Sequence, residues 1–107
     1  MTSDNLKECL LFFCKNYGVR HQIKRAQSEI FEFNEAVINY ENARDSEYTQ
    51  DFDKLRDAVA EEFADVLTML GQIVLSYDIC EEDILRHMRA KADRQLKRIE
   101  NNEIDRI

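Results

Sequence analysis

The sequence predicts an all-α protein: a bundle of about four helices around a central antiparallel helix hairpin, completed by oligomerisation. Three observations carry this expectation. The chain of 107 residues has no proline and only two glycines, Gly18 and Gly71. Those residue types punctuate sheets and long loops, so their scarcity favours a few long helices with short connections. Apolar residues recur at three-then-four spacing through two long stretches, the period of a helix seam. Helices of that length in a single domain spanning 1–107 cannot bury their apolar faces alone, and pairing protomers remedies this.

The first helix is expected from about Asp4 to Asn16, with Leu6, Cys9, Leu10 and Phe13 on one face and Asp4 as N-cap. Tyr17-Gly18 should end it, because glycine is favoured just past a helix. The second runs from about Val19 to Asn42, with Ile23, Ala26, Ile30, Phe33, Val37 and Tyr40 as its seam. Phe31 and Ile38 lie off that seam, so its apolar surface needs more than one neighbour. Residues 43–50 are polar, acidic and aperiodic, and read as a connection.

The third helix, about Asp51 to Tyr77, should face inward with Leu55, Val59, Phe63, Val66, Leu70, Ile73 and Val74. Ser76-Tyr77-Asp78 reads as a break. The fourth, about Glu81 to Asn101, carries Ile84, Leu85, Met88, Ala92, Leu96 and Ile99 on its apolar side. Acids open it and bases close it, as the helix dipole favours.

Bulk composition excludes several classes of function. The formal charge is −7, from 22 acids and 15 bases, which repels a nucleic-acid backbone and leaves no basic recognition helix. A nucleotide held through a divalent cation is not excluded. No apolar run approaches the ~20 residues of a membrane span, and the first residues lack the pattern of a signal peptide. Cys9, Cys14 and Cys80 are odd in number and match no zinc spacing. The expectation is a cytoplasmic protein with free thiols, and no membrane or nucleic-acid partner.

Among the many acids, four stand out. Glu29 and Glu32 lie one turn apart, as do Glu62 and Asp65. Glu29 with Asp65, and Glu32 with Glu62, are each equidistant from Glu47, in the middle of the expected connection. An antiparallel hairpin would therefore set the two acidic turns level with each other. Glu62 also falls between the apolar positions Leu55, Val66, Met69 and Ile73 on its helix. Packing does not choose a charge there, since a lone buried carboxylate is costly. An all-oxygen ligand set with no His or Cys suits a hard ion, Mg²⁺ with Mn²⁺ as substitute. The bland alternative is a set of solvated helix faces with Glu62 bonded to a lysine or arginine.

At these residues the chain resembles the MazG-like all-α nucleoside-triphosphate pyrophosphohydrolases. Their signature, Glu-Glu-x-x-Glu and later Glu-x-x-Asp, is similar to Ser28-Glu29-Ile30-Phe31-Glu32 and Glu62-Phe63-Ala64-Asp65. Glu61 to Leu67 resembles the second motif, Gly18 to Gln22 the approach to the first, and Lys91-x-x-Arg94 a basic pair in the last helix. Ser28 departs from the pattern, standing where the first glutamate would be.

The resemblance implies Mg²⁺-dependent hydrolysis of a nucleoside triphosphate, of the deoxy series, to the monophosphate and pyrophosphate. Glu29, Glu32, Glu62 and Asp65 would be the metal ligands, and Glu32 would also orient or deprotonate the attacking water. Lys91 and Arg94, with Arg98 a turn on, are candidates for contacting outer phosphates, from the same protomer or a neighbour in a dimer or tetramer, against the alternative of a basic helix end that serves solubility and the dipole. His21 and Gln22 are candidates for touching base or sugar, against the alternative of a surface role. Phe12, Phe13, Tyr17 and Phe31 are candidates for stacking on a base, although aromatics at such spacing are more often core. A non-catalytic helical interaction or regulatory module is the rival reading.

Overall fold

The computed structural model describes residues 4–45 and 51–102. Four α-helices follow one another, α1 (Leu6–Tyr17), α2 (Val19–Arg44), α3 (Phe52–Ser76) and α4 (Glu81–Glu100), and there is no strand among the described residues. The all-α class is thus as expected. By packing the chain divides into two units, one holding α1 to α3 and the other α4.

Helix ends follow local chemistry. Asn5, not Asp4, caps α1: its Oδ1 accepts from the Glu8 N–H at 3.1 Å. Both residues can cap, and the one three positions before an available N–H does so. Gly18 closes α1 and opens α2, donating its N–H to the Cys14 carbonyl at 2.8 Å with φ +91°. Asp51 caps α3 by accepting from the Lys54 N–H at 3.1 Å. α3 gives way at Tyr77 and Asp78, the latter in the left-handed region that aspartate tolerates. α2 outlasts its expected end and runs through Ala43 to Arg44, so the connection is shorter than residues 43–50. Position 47, the expected hairpin centre, lies outside the described residues.

Within the first unit α2 packs chiefly on α3, α1 packs on α3, and α1 touches α2 least. Tyr40 meets Phe52 edge-on at 6.5 Å, Phe33 meets Phe63 at 5.4 Å, and Gln22 bonds Gln72 at 2.7 Å. High numbers in α2 thus pair with low numbers in α3.

Most of the expected seam is protected: Ala26, Phe33, Val37 and Tyr40 on α2, and Leu55, Val59, Val66, Ile73 and Val74 on α3. On α2 the protected positions also include Gln22, Glu29, Ala36 and Ala43, while Ile23 and Ile30 are exposed. On α3 they include Leu55, Val59, Glu62, Val66, Met69, Gln72 and Ile73, while Phe63 and Leu70 are exposed beside the seam. Apolar periodicity alone selects Ile23, Ile30, Phe63 and Leu70. The packed line instead passes through polar residues that a hydrophobic pattern cannot register. On α1 the protected residues are Cys9 and Cys14, with Leu10 half-buried, and Leu6 and Phe13 are exposed. α4 has no buried residue, and Ile84, Leu85, Met88, Leu96 and Ile99 on its apolar side are exposed.

The two glycines give a paired test. Gly18 holds a backbone conformation that side chains rarely adopt, so Gly18→Ala should cost roughly 1–3 kcal/mol. At Gly71 an added Cβ meets only the Leu10 Cδ1, at 3.2 Å, the tip of a half-buried side chain that can turn aside. Gly71→Ala should hold or gain stability, by up to about 1 kcal/mol, because alanine suits a helix interior better. Urea denaturation of both variants checks the opposite signs.

Candidate functional site

Glu29 and Glu32 share one side of α2, and Glu62 occupies the seam position of α3 that faces them. One carboxylate oxygen from each of the three can be chosen so that all lie within 4.8 Å of one another. Glu29 is 9% exposed, Glu62 is half-buried and Glu32 is exposed. The group is therefore open on the Glu32 side and closed on the Glu29 side. Asp65, the fourth acid, is exposed and lies outside the tight group, but its charge acts on both Glu29 and Glu62.

The electrostatics follow from this placement. Burial is the largest influence holding the Glu29 carboxyl above its ordinary value, followed by the charges of Glu32 and Asp65. A hydrogen bond shared with Glu32 adds to this, and Arg25 opposes it. Glu62 is raised by burial first, then by Glu32, Asp65 and its neighbour Glu61. Among the described residues one ion pair reaches the group, Arg25 Nε to Glu29 Oε1 at 3.6 Å. Glu29 Oε2 and Glu62 Oε2 are both buried without a hydrogen-bond partner. Two orphaned carboxylate oxygens in an all-oxygen donor set are what a hard divalent cation fits. A wholly solvated set of acids does not describe Glu29 or Glu62.

Next to the acids lies a cleft of about 290 Å³. α1 contributes Phe13 and Tyr17, α2 His21, Gln22 and Arg25, and α3 Met69 and Gln72. Arg25 joins the two features, lining the cleft while pairing with Glu29. Across the Gly18 joint the Tyr17 ring stacks on His21, centroids 5.7 Å apart at 21°. His21 Nδ1 donates to Gln22 Oε1 at 2.7 Å, and Gln22 Nε2 donates to Gln72 Oε1 at 2.7 Å. Gln72 Nε2 donates to the Met69 sulfur at 3.7 Å.

Of the residues singled out in the sequence, Glu29, Glu32 and Glu62 come together, and His21 and Gln22 line the adjoining cleft. Gln22 is buried and His21 exposed. Phe13 and Tyr17 line the same cleft, whereas Phe12 meets Phe13 edge-on and Phe31 is exposed. Lys91 and Arg94 are exposed on α4, in the second unit. Arg25 and Gln72 are not singled out by the sequence, and Met69 is legible there only as an apolar neighbour of Glu62. A signal for Gln72 existed, since it is the only amide in the apolar run Val66 to Leu75. No family model, curated protein or solved structure matches the chain.

The raised carboxyls fix a pH dependence. Above the ordinary value of 4.5 and below their raised values, Glu29 and Glu62 hold protons in the folded chain that the unfolded chain has lost. Stability of the metal-free protein should be fullest below that ordinary value and fall as pH rises through the raised values. Glu62→Gln should flatten the fall. Added Mg²⁺ or Mn²⁺ should raise the melting temperature of the parent more at pH 7.5 than at pH 5, and do little to the variant. Thermal melts in chelator and in excess cation, across that range, check both statements.

Proposed function

We propose that this chain is a magnesium-dependent nucleoside-triphosphate pyrophosphohydrolase acting on deoxynucleotides. The observation that supports this reading is the pair of orphaned, buried oxygens on Glu29 and Glu62, set against Glu32. In this reading α2 and α3 form an antiparallel hairpin, for which the Gln22–Gln72 bond and the Phe33–Phe63 and Tyr40–Phe52 contacts are the support. The resemblance of Glu29-x-x-Glu32 and Glu62-x-x-Asp65 to the MazG-like motifs points the same way.

The acids Glu29, Glu32 and Glu62 would hold the cation, with Asp65 adding its charge from beside the group, and Mg²⁺, or Mn²⁺ in its place, would supply charge neutralisation and polarise the α-phosphorus. Glu32 is the member open to solvent. Its carboxylate takes the proton of the attacking water as the water oxygen bonds to the α-phosphorus. The bond from that phosphorus to the bridging oxygen breaks, and pyrophosphate leaves. Arg25 holds Glu29 in place through their ion pair. Lys91 and Arg94 of a neighbouring protomer, in a dimer or tetramer, would contact the outer phosphates. Exposed Phe31, Ile38 and Leu67 in the first unit, and Met88, Leu96 and Ile99 on α4, support such an assembly.

The same exposed apolar residues favour the second reading, a helical interaction module without catalysis. Phosphate release from a panel of deoxynucleotides and ribonucleotides, with Mg²⁺ and added inorganic pyrophosphatase, separates the two. The parent should turn over at least one nucleotide, and Glu62→Gln and Glu29→Gln should lose on the order of 10²–10³ in rate. Parent and variants equally silent on every nucleotide would replace catalysis with the interaction module.

As for compartment, no single helix among the described residues is long and apolar enough to cross a membrane. A cytoplasmic site of action remains part of this proposal, as the compartment in which nucleoside triphosphates and Mg²⁺ are both abundant.

A further inference from the structure

The cleft beside the acids holds two buried amides whose hydrogen-bonding capacity is not used up. Gln72 is 2% exposed and Gln22 is 4% exposed. Each side-chain amide carries two N–H donors. For Gln22 the described bonds use one, to Gln72 Oε1. For Gln72 they use one, on the Met69 sulfur at 3.7 Å, and a thioether is a weak acceptor. A buried N–H without a good acceptor is unfavourable, so these donors are set for a partner entering the cleft.

The direction of the chain follows from the His21 tautomer that carries its proton on Nδ1. His21 Nδ1 donates to Gln22 Oε1, which obliges Gln22 to present its nitrogen to Gln72 Oε1, which in turn leaves Gln72 presenting its own nitrogen. What the two amides offer is therefore N–H. Beside the amides the walls carry flat rings, Phe13 and the stacked pair of Tyr17 on His21, with Met69 and the Arg25 side chain completing the lining. At about 290 Å³ the cleft is at the small end of ligand sites, the size for one planar ring system. Gln22 and Glu29 are two turns apart on α2, about 10 Å along the axis, which leaves room for a sugar between a ring in the cleft and phosphates at the acids.

We propose that this cleft takes the base of the nucleotide and that the Gln22–Gln72 pair selects bases that are oxo-bearing at the purine 6- or pyrimidine 4-position, guanine, uracil and thymine, over adenine and cytosine, which carry an amino group there. The inference rests on the hydrolase reading above and adds to it a substrate class. Guanine shows two adjacent acceptors on its O6/N7 edge and thymine or uracil one at O4, whereas adenine N6 and cytosine N4 would set donor against donor. Phe13 and the Tyr17–His21 stack cover the ring faces. Gln72 touches the base and not the reacting phosphorus, so its replacement changes which nucleotide is preferred.

The test compares kcat/KM for dGTP, dUTP, dTTP, dATP and dCTP on the parent, Gln72→Met and Gln72→Glu. The parent should favour the oxo-bearing set by about tenfold or more. Gln72→Met should level the ranking, and Gln72→Glu, which turns a donor into an acceptor, should reverse it. A parent that prefers dATP or dCTP, or a ranking unmoved in both variants while hydrolysis persists, overturns the proposal and leaves the hydrolase reading standing. A second measurement needs neither turnover nor a variant. In metal-free parent protein, deoxyguanosine or thymidine at millimolar concentration should shift the side-chain amide resonances of Gln22 and Gln72, and deoxyadenosine should shift them less. Resonances unmoved by every nucleoside overturn the proposal even if the variants do not fold. Absence of hydrolysis on all nucleotides, with those shifts present, would instead sink the hydrolase reading and retain the cleft.

Discussion

Two glutamates on the line of contact between α2 and α3 are the constraint around which the first unit is arranged. Glu29 and Glu62 occupy positions that heptad spacing gives to packing residues, and each keeps an oxygen buried without a partner. An ionised carboxylate taken from water is expensive on the scale of a small domain's net stability. Here like charges add to that cost, and one guanidinium, Arg25, offsets it at 3.6 Å. A helix pair selected only for stability would place leucine or alanine at both positions. That the chain keeps two acids there, facing a third on Glu32, is what the proposed cation would account for, with a proton taking its place while the cation is absent.

The rest of the seam accommodates this arrangement. On either side of Glu29, α2 carries Ala26 and Phe33, and around Glu62 α3 carries Val59 and Val66. Small and β-branched residues let the helices approach, and the Phe33–Phe63 contact closes the seam on one side of the acids. On the other side the Gln22–Gln72 bond forms a second polar layer, two turns along. Two polar layers of different chemistry specify register in a way that an apolar seam does not. Slipping α3 by one heptad would set Glu62 or Gln72 against apolar partners and leave buried polar groups unpaired. Under the proposed function, the residues that set the register are also those of the site, and the apolar positions between them supply the packing.

The sequence made the number and type of helices legible, because proline is absent, glycine marks the α1–α2 joint, and Asp51 and the Glu81-Glu82-Asp83 run mark helix starts. The meeting of Glu29, Glu32 and Glu62 was legible too, from their spacing about the middle of the chain. The face of each helix was legible only in part. Periodicity weighs Ile23, Ile30, Phe63 and Leu70 as core because they are large and apolar, and the packed line lies one position away, through Gln22, Glu29, Glu62 and Met69. Asp65 is on the right turn but one step around the helix from the seam, so its charge reaches the group while its oxygens stand apart. The amide chain could not be read at all, since it depends on α1 bringing Tyr17 against His21 and on two glutamines fifty residues apart.

Arg25 shows why the cleft and the acids belong to one site. Its guanidinium borders the cleft and its Nε lies against Glu29, on a side chain that is itself 61% exposed. A cation entering beside Glu29 would compete with that guanidinium for the carboxylate, and a phosphate arriving with the cation would give the guanidinium a better partner than the one it lost. Under the proposed function the ion pair is a resting contact that substrate would exchange for two others. That exchange would place the positive group between base and phosphates, where a nucleotide passes from a neutral ring to an anionic chain. A cleft that offers donors at one end and acids at the other, hinged on one arginine, matches the polarity of a nucleotide held through metal. It matches poorly an anion bound directly, which the acids would repel, or an apolar ligand, which would leave both amides unsatisfied.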